Sequence, residues 1–190
     1  MTKTDIEGEI AHGDRVVLRS KRREDAEADY SWRKDPELVP YDAVKPISAT
    51  FGDFLALYED DLNHPTPFRR TFALDDMEGR HIGNVMFYNI DLLKREAEIG
   101  ITIGDRDYWN RGYGADALRA LVRYIFTDTA LTRIYLKTLD WNVRAQYSFK
   151  KAGFVQYGTS RRSNGTFILM EMRRNDWEAR ERGDVGLRQM

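Results

Sequence analysis

WNRGYGADAL, Trp109 to Leu118, sets two glycines and an arginine at the mouth of a segment that reads as a helix. Glycine is unfavourable inside a helix by about 1 kcal/mol relative to alanine, so Gly112 and Gly114 point to a purpose beyond helix formation. Three readings are open. The first is a dinucleotide fingerprint: Gly112 to Ala117 matches G-x-G-x-x-[GA], and Asp140 ends the next strand. That mechanism needs its first glycine tight against a strand end, and here Gly104 to Arg111 intervene. The second is a plain helix start, where a capping Ser or Thr would serve better. The third is an anion cradle. The first helical turn leaves backbone N–H groups unpaired, its dipole favours negative charge, and glycines admit close approach. Arg111 adds a fixed positive charge, and a pyrophosphate fits the description.

Outward from this stretch the hydrophobic period changes. Ala117, Leu118, Leu121, Val122, Ile125 and Phe126 form the apolar stripe of a helix from about Ala115 to Thr127. Upstream the period is two. Arg70 to Leu74, His81 to Asn89 and Glu96 to Ile103 read as an antiparallel meander. On its third strand Ile99, Ile101 and Ile103 share one face; Glu98, Gly100 and Thr102 share the other. Val16 to Arg19 is an opening strand, followed by helices over Glu24 to Arg33 and Phe51 to Leu62, the second capped by Thr50. Downstream come a strand, Arg133 to Leu139, and a short helix, Asn142 to Ala152, stopped by Gly153. Phe154 to Arg161 and Phe167 to Arg173 form a hairpin about Ser163-Asn164-Gly165. The order β, α, α, β, β, β, α, β, α, β, β describes one α/β (α+β) domain over 14–175. A polar lead-in, 1–13, and a charged tail, 176–190, flank it.

Thirty basic residues against 31 acidic ones give a formal net charge of -1, which makes nucleic acid an unlikely partner. There is no cysteine, hence no disulfide, thiolate metal site or cysteine nucleophile. His12, His64 and His81 lack metal-ligand spacing and read as surface or turn residues; no metal is expected. No run of about 18 apolar residues occurs, and the first residues carry no signal-peptide core. The expectation is a cytoplasmic protein with no membrane contact.

RDYWNRGYGADAL, the long helix and strand after it, and then NVRAQYSFKKAGF together resemble the GNAT N-acetyltransferases. The similar branch holds ribosomal-protein N-terminal, spermidine and some aminoglycoside acetyltransferases. The resemblance runs from Arg15 to Arg174. It implies a central mixed, mostly antiparallel sheet of six to seven strands with about four helices, splayed between its fourth and fifth strands. It implies acetyl-CoA as co-substrate. The family motif [QR]-x-x-G-x-[GA] falls on Trp109, Asn110, Arg111, Gly112, Tyr113 and Gly114, with Trp109 departing from it. By the same resemblance the N–H groups of Arg111 to Ala115 hold the pyrophosphate. Ile101, Thr102 and Ile103 pair with pantetheine as a strand would.

The second motif places Asn142 on the pantetheine arm and Lys151 near the phosphates; Asn142 reads equally as a helix N-cap. Phe149 stands where the family often has a tyrosine that protonates the leaving thiolate. Phenylalanine has no proton to donate and reads as packing beside the cofactor. Tyr147 is turned by about 200° on the helix, Ser148 by about 100°. Ser148 is thus the nearer candidate acid, with water the simplest donor. The acceptor amine must lose a proton before attack, and Glu98 is the candidate base. It also reads as a sheet-surface or substrate-recognition charge.

The acceptor pocket is expected from the first two helices, their connection and the late hairpin. These carry Trp32, Tyr41, Phe51, Tyr157, Arg161 and Arg162, with Tyr88 from the meander, and the acids Glu24, Asp25, Asp29, Asp35 and Asp42. Acid lining would suit a polyamine, an aminoglycoside or a peptide or protein N-terminus. The resulting expectation is an N-acetyltransferase acting on a primary amine, with a homodimer implied by the family. A non-catalytic acetyl-CoA-binding regulatory relative is the alternative that Phe149 raises.

Overall fold

The meander is the centre of the molecule. Its strands are β3 (Arg69–Asp76), β4 (His81–Asp91) and β5 (Glu96–Ile103). Before it run β1 (Glu9–His12), β2 (Val16–Ser20), α1 (Ala26–Lys34) and α2 (Phe51–Asn63). After it run α3 (Tyr113–Asp128), β6 (Arg133–Leu139), α4 (Val143–Ala152), β7 (Val155–Arg162), β8 (Gly165–Arg173) and α5 (Arg174–Glu181). This computed structural model describes residues 8–42 and 44–183; the first part of the polar lead-in, Ala43 and residues 184–190 of the tail lie outside them. Among the described residues there is one mixed sheet, ordered β1-β2-β3-β4-β5-β6-β8-β7, and five α-helices.

Eight strands replace the six to seven expected, because part of the lead-in is not frayed. Glu9 to His12 pairs antiparallel with β2 and edges the sheet. The tail is corrected as well. Its first turns are α5, and Trp177 packs on Phe126 with ring centroids 5.6 Å apart. Arg174 ties that helix down by donating to the carbonyls of Thr129 and Leu131.

The stripe read on α3 is the core. Ala117, Leu118, Leu121, Val122, Ile125 and Phe126 are at most 1% exposed and meet Val16, Leu18, Leu74, Val85 and Phe87 of the sheet. Burying side chains of this size stabilises by about 1.5–3 kcal/mol each.

All strand pairs are antiparallel except β5 with β6. That parallel pair holds over three positions only, Glu96 with Arg133, Ala97 with Ile134 and Glu98 with Tyr135. Beyond Glu98 the strands part. The splay opens where the resemblance implied it, between the strand bearing Ile103 and the strand bearing Leu139.

Candidate active site

A cleft of about 2130 Å3 follows the parting of β5 and β6 from the start of α3 to the face of α1 and α2. Pockets for small ligands usually hold about 300–1,000 Å3, so this one has room for a nucleotide-sized donor and an acceptor together.

The edge of β5 along the gap is chemically unsaturated. Gly104 N–H donates to the Ile82 carbonyl at 2.9 Å, and Ile103, Thr102 and Ile101 lie opposite Gly83, Asn84 and Val85. Bonding alternates along an antiparallel strand, so Thr102 and Gly100 turn their backbone groups to β4. Ile101 and Ile103 turn theirs to the gap. Trp109 Nε1–H donates to the Ile103 carbonyl at 2.7 Å, closing one of those groups off. Thr102 therefore differs from the expectation. Its backbone belongs to the sheet, and its hydroxyl donates to Asp42 Oδ2 at 3.3 Å on the α1–α2 face.

At the far end lies the N-terminus of α3. Gly112 is its N-cap, in the left-handed region at φ 88°, and no side chain caps the helix there. The first intrahelical bond runs from Asp116 N–H to the Gly112 carbonyl. The N–H groups of Tyr113, Gly114 and Ala115 are thus the orphan donors of the first turn, in a position that favours an anion. A β-carbon on Gly112 would meet nothing within 4 Å, whereas one on Gly114 would touch Ser148 Oγ at 3.6 Å. Asn110, also left-handed at φ 58°, lines the same end. Tyr113 turns its ring onto Tyr108, edge to face at 4.8 Å, and braces the loop. Arg111 donates to the Asp107 carbonyl at 3.0 Å. Arg15, Arg119 and Lys151 line the cleft beside it. The polarity and the shape of this end fit a pyrophosphate.

Tyr41, Trp109 and Trp141 meet across the gap with centroids 5.7 and 5.3 Å apart. The Arg144 guanidinium sits 3.4 Å from the Trp109 ring centre and 4.7 Å from that of Tyr41. Burial pulls the Arg144 pKa down from its ordinary value. This roof joins the ends of β5 and β6, α4 and the turn Val39–Asp42. On α4, Asn142 Oδ1 accepts from Ala145 N–H at 3.2 Å as an N-cap, leaving its amide nitrogen for another partner. Phe149 is 6% exposed and packs against Phe154. Ser148 Oγ donates back to the Arg144 carbonyl at 3.2 Å, and Tyr147 is exposed at the rim.

The opposite face of β5 carries Glu98, Gly100 and Thr102. Glu98 is buried and accepts from Lys137 Nζ at 2.7 Å and Asn89 Nδ2 at 3.1 Å. It does not line the cleft, whereas Tyr88 and Lys137 do. Burial, then the neighbouring Glu98, pushes the Tyr88 hydroxyl pKa up.

The acids of the N-terminal segment are mostly spoken for. Arg19 bridges Asp25 at 2.8 Å and Asp75 at 2.6 Å, all three buried. Lys21 holds Asp29 at 2.6 Å, and Arg106 holds Asp35 at 2.5 Å. His81, expected at the surface, is instead covered by Asp29, Asp75 and the Trp32 ring at 5.1 Å. Trp32 and Tyr41 line the cleft; Phe51 packs on Tyr30 and Tyr157 on Arg133, both outside it. Sequence reading leaves out Arg15, Arg119 and Arg144, single cations with no motif around them.

Comparison with known proteins agrees with this geometry. The family described as acetyltransferase (GNAT) domain matches residues 15–155. An uncharacterized N-acetyltransferase of Bacillus licheniformis is 28% identical over 155 residues, 78% of this chain and 86% of that one. Spermidine N(1)-acetyltransferase of Vibrio cholerae is 26% identical over 143 residues, 75% of this chain and 80% of that one. Among solved structures, a Vibrio cholerae spermidine N-acetyltransferase in complex with CoA and spermine aligns at TM-score 0.76 and 23% identity. That alignment covers 86% of this chain and 98% of the other, and shows a shared fold. The chain belongs to the GNAT acetyltransferase family. It is an N-acetyltransferase.

Proposed function

We propose that this enzyme acetylates a small primary amine that enters over the α1–α2 face and meets the thioester in the β5–β6 gap. The observation that carries the reading is the parting of those strands after Glu98, with an uncapped helix N-terminus at its end. In this reading pantetheine lies along the free edge of β5, bonded to the backbone of Ile101 and the N–H of Ile103. The pyrophosphate rests on the first turn of α3, with Arg15, Arg111, Arg119 and Lys151 supplying charge. The Asn142 amide nitrogen meets the pantetheine arm. Trp109 and Arg144 shelter it, and Phe149 packs beside the sulfur.

The thioester carbonyl lies near the Ile101 N–H, which stabilises the oxygen as negative charge builds on it. Attack by the neutral amine forms the C–N bond; the C–S bond then breaks and the thiolate leaves. The proton that the attacking nitrogen gives up reaches the sulfur through water or the Ser148 hydroxyl. A free thiol has a pKa of about 8.5, so a weak donor is enough. Glu98 acts as a positioning residue, holding Lys137 and Tyr88 at the cleft wall. The half-exposed Val155 and Tyr157 on β7 support a homodimer through that edge, and we assign the work to the cytoplasm.

Thiol release from acetyl-CoA tests the reading against a panel of amino acid amides, short peptides, spermidine and kanamycin. Amine-dependent release with one class is expected. Saturable acetyl-CoA binding with no release for any amine would remove the transferase reading.

A further inference from the structure

Three carboxylates enter the cleft from α1, α2 and the segment between them: Asp29, Asp42 and Asp61. Asp29 is held by Lys21 at 2.6 Å and Asp61 by Arg69 at 2.7 Å. Asp42 has no cation within ion-pair distance among the described residues; it accepts one hydrogen bond, from Thr102 Oγ1 at 3.3 Å. We propose that Asp42 binds the ammonium of the acceptor and takes the proton it must lose, so that the site selects amines with a single positive charge. This rests on the acetyl-transfer reading above.

Position comes first. Thr102 is one residue from Ile101, whose backbone faces the gap, and its side chain rises on the opposite side from α3. Asp42 therefore stands directly over the part of β5 that would flank the thioester, on the side from which an acceptor enters. Three groups face it: Thr102 from β5, Arg33 from α1 and Tyr88 from β4. The carboxylate is open to the cleft, yet burial by the surrounding walls raises its pKa against the opposing pull of Thr102 and Arg33. A carboxylate so placed is a stronger base than one in bulk water.

Charge balance sets the substrate class. Arg33 lines the same compartment with no carboxylate within ion-pair distance among the described residues. One ammonium is matched by Asp42. A second or third, as on a polyamine, would face Arg33, while an amide, carbonyl or carboxylate beside the amine would be welcome there. The spermidine-acetylating relatives therefore differ from this chain in acceptor charge. The proton balance is complete. The ammonium gives one proton to Asp42, which passes it to solvent. The neutral amine attacks the carbonyl carbon, and a second proton from that nitrogen ends on the departing sulfur as the C–S bond breaks.

The test measures thiol release from acetyl-CoA with alanine amide and with spermidine, from about pH 4 to 10.5, across the carboxylate and amine ranges. Wild type is expected to prefer alanine amide. Asp42→Asn should lower kcat/KM for it by about 10- to 100-fold, the loss of one charge-assisted hydrogen bond, with acetyl-CoA affinity unchanged. It should also abolish the acid limb of the pH profile, which Asp42→Glu should restore. Thr102→Val should move that limb to higher pH. Preference for spermidine, or an Asp42→Asn enzyme with unchanged KM and pH profile, would overturn the proposal alone. No release by wild type with either amine or with any other amine tried would overturn the transferase reading, and the proposal with it.

Discussion

His81 is clamped between two carboxylates, its Nε2 lying 3.2 Å from Asp29 Oδ1 and its Nδ1 3.4 Å from Asp75 Oδ1. Nδ1 and Asp75 Oδ1 are both buried and have no other hydrogen-bond partner among the described residues. A proton on Nδ1 would satisfy the two at once, and one on Nε2 would serve Asp29, so the surroundings favour the charged ring. Arg19, Lys21 and His81 then balance Asp25, Asp29 and Asp75. Burial opposes the charged ring, but the hydrogen bonds to Asp29 and Asp75 outweigh it and raise the pKa. A raised folded pKa gives stability that is complete below the unfolded value of about 6.5 and is lost as pH rises through the folded one. Urea midpoints of wild type and His81→Gln should therefore differ most near pH 6 and converge toward pH 9. Parallel curves across that range would mean a neutral ring.

The same cluster makes Asp29 sensitive to substitution. Burial works against its charge, yet His81, Lys21 and Asn84 together hold its pKa down at about 2. Its stabilisation is present above the unfolded carboxylate range and is lost only as pH falls through about 2. Asp29→Asn takes from Lys21 and His81 the carboxylate they share, leaving Lys21 only Asp25 at 3.9 Å and His81 only Asp75 at 3.4 Å, and should cost about 3–5 kcal/mol at pH 7, as when one member of a buried pair is removed. Denaturant unfolding measures it; a change under about 1 kcal/mol would show that the pair is screened like a surface one.

Gly104 is where the end of β5 passes under α1. A β-carbon there would fall 2.0 Å from Trp32 Cδ2, inside the indole. Gly104→Ala must push Trp32 off His81, an overpacking that should cost about 1–3 kcal/mol. Trp32 lines the cleft on the α1 side, where the proposed acceptor enters, so on that proposal the acceptor KM should rise while acetyl-CoA affinity holds. Wild-type stability in the variant would mean that the indole swings away freely.

What could be read from the chain, and what could not, follows from locality. The meander and α3 announce themselves through period two and an unbroken apolar stripe. The uncapped start of α3 is legible because its glycines and its first-turn donors, the N–H groups of Tyr113, Gly114 and Ala115, are consecutive in the chain. β1 is four residues long, too short for alternation to register, and α5 offers one apolar anchor, Trp177, among charges. The acceptor compartment is the opposite case. Asp42 meets Thr102 across 60 residues and Arg19 meets Asp75 across 56. The sequence displays the N-terminal acids but not the cations that neutralise them. Only the fold separates the unpaired Asp42 from Asp25 and Asp29.

Trp109 departs from the family motif, and its contacts give the reason. Its indole N–H caps the Ile103 carbonyl at 2.7 Å, and its face carries Arg144. Trp109→Phe keeps a ring for the guanidinium but frees the carbonyl. A loss of about 1 kcal/mol in stability is expected from the missing hydrogen bond. Trp109→Ala removes the cation–π contact too and should weaken CoA binding further, by several-fold in calorimetry. Equal CoA affinity for both variants would show that the hydrogen bond, not the ring, matters to the cofactor.

Gly112 and Gly79 form a matched pair for testing the cradle. Both are left-handed, at φ 88° and 84°, and a β-carbon on either would meet nothing within 4 Å. Gly79 turns the β3–β4 connection, away from the cleft, whereas Gly112 opens α3. Replacing either with leucine forces a left-handed side-chain residue, at about 1–2 kcal/mol of stability each. Steric strain alone therefore predicts equal destabilisation and equal CoA affinity. The cradle predicts a split. Gly112→Leu should fill the space in front of the Tyr113, Gly114 and Ala115 N–H groups and reduce CoA affinity at least 10-fold, while Gly79→Leu binds as wild type does. Equal affinity in the two variants would detach the α3 N-terminus from the pyrophosphate and return Gly112 to a role in helix initiation alone.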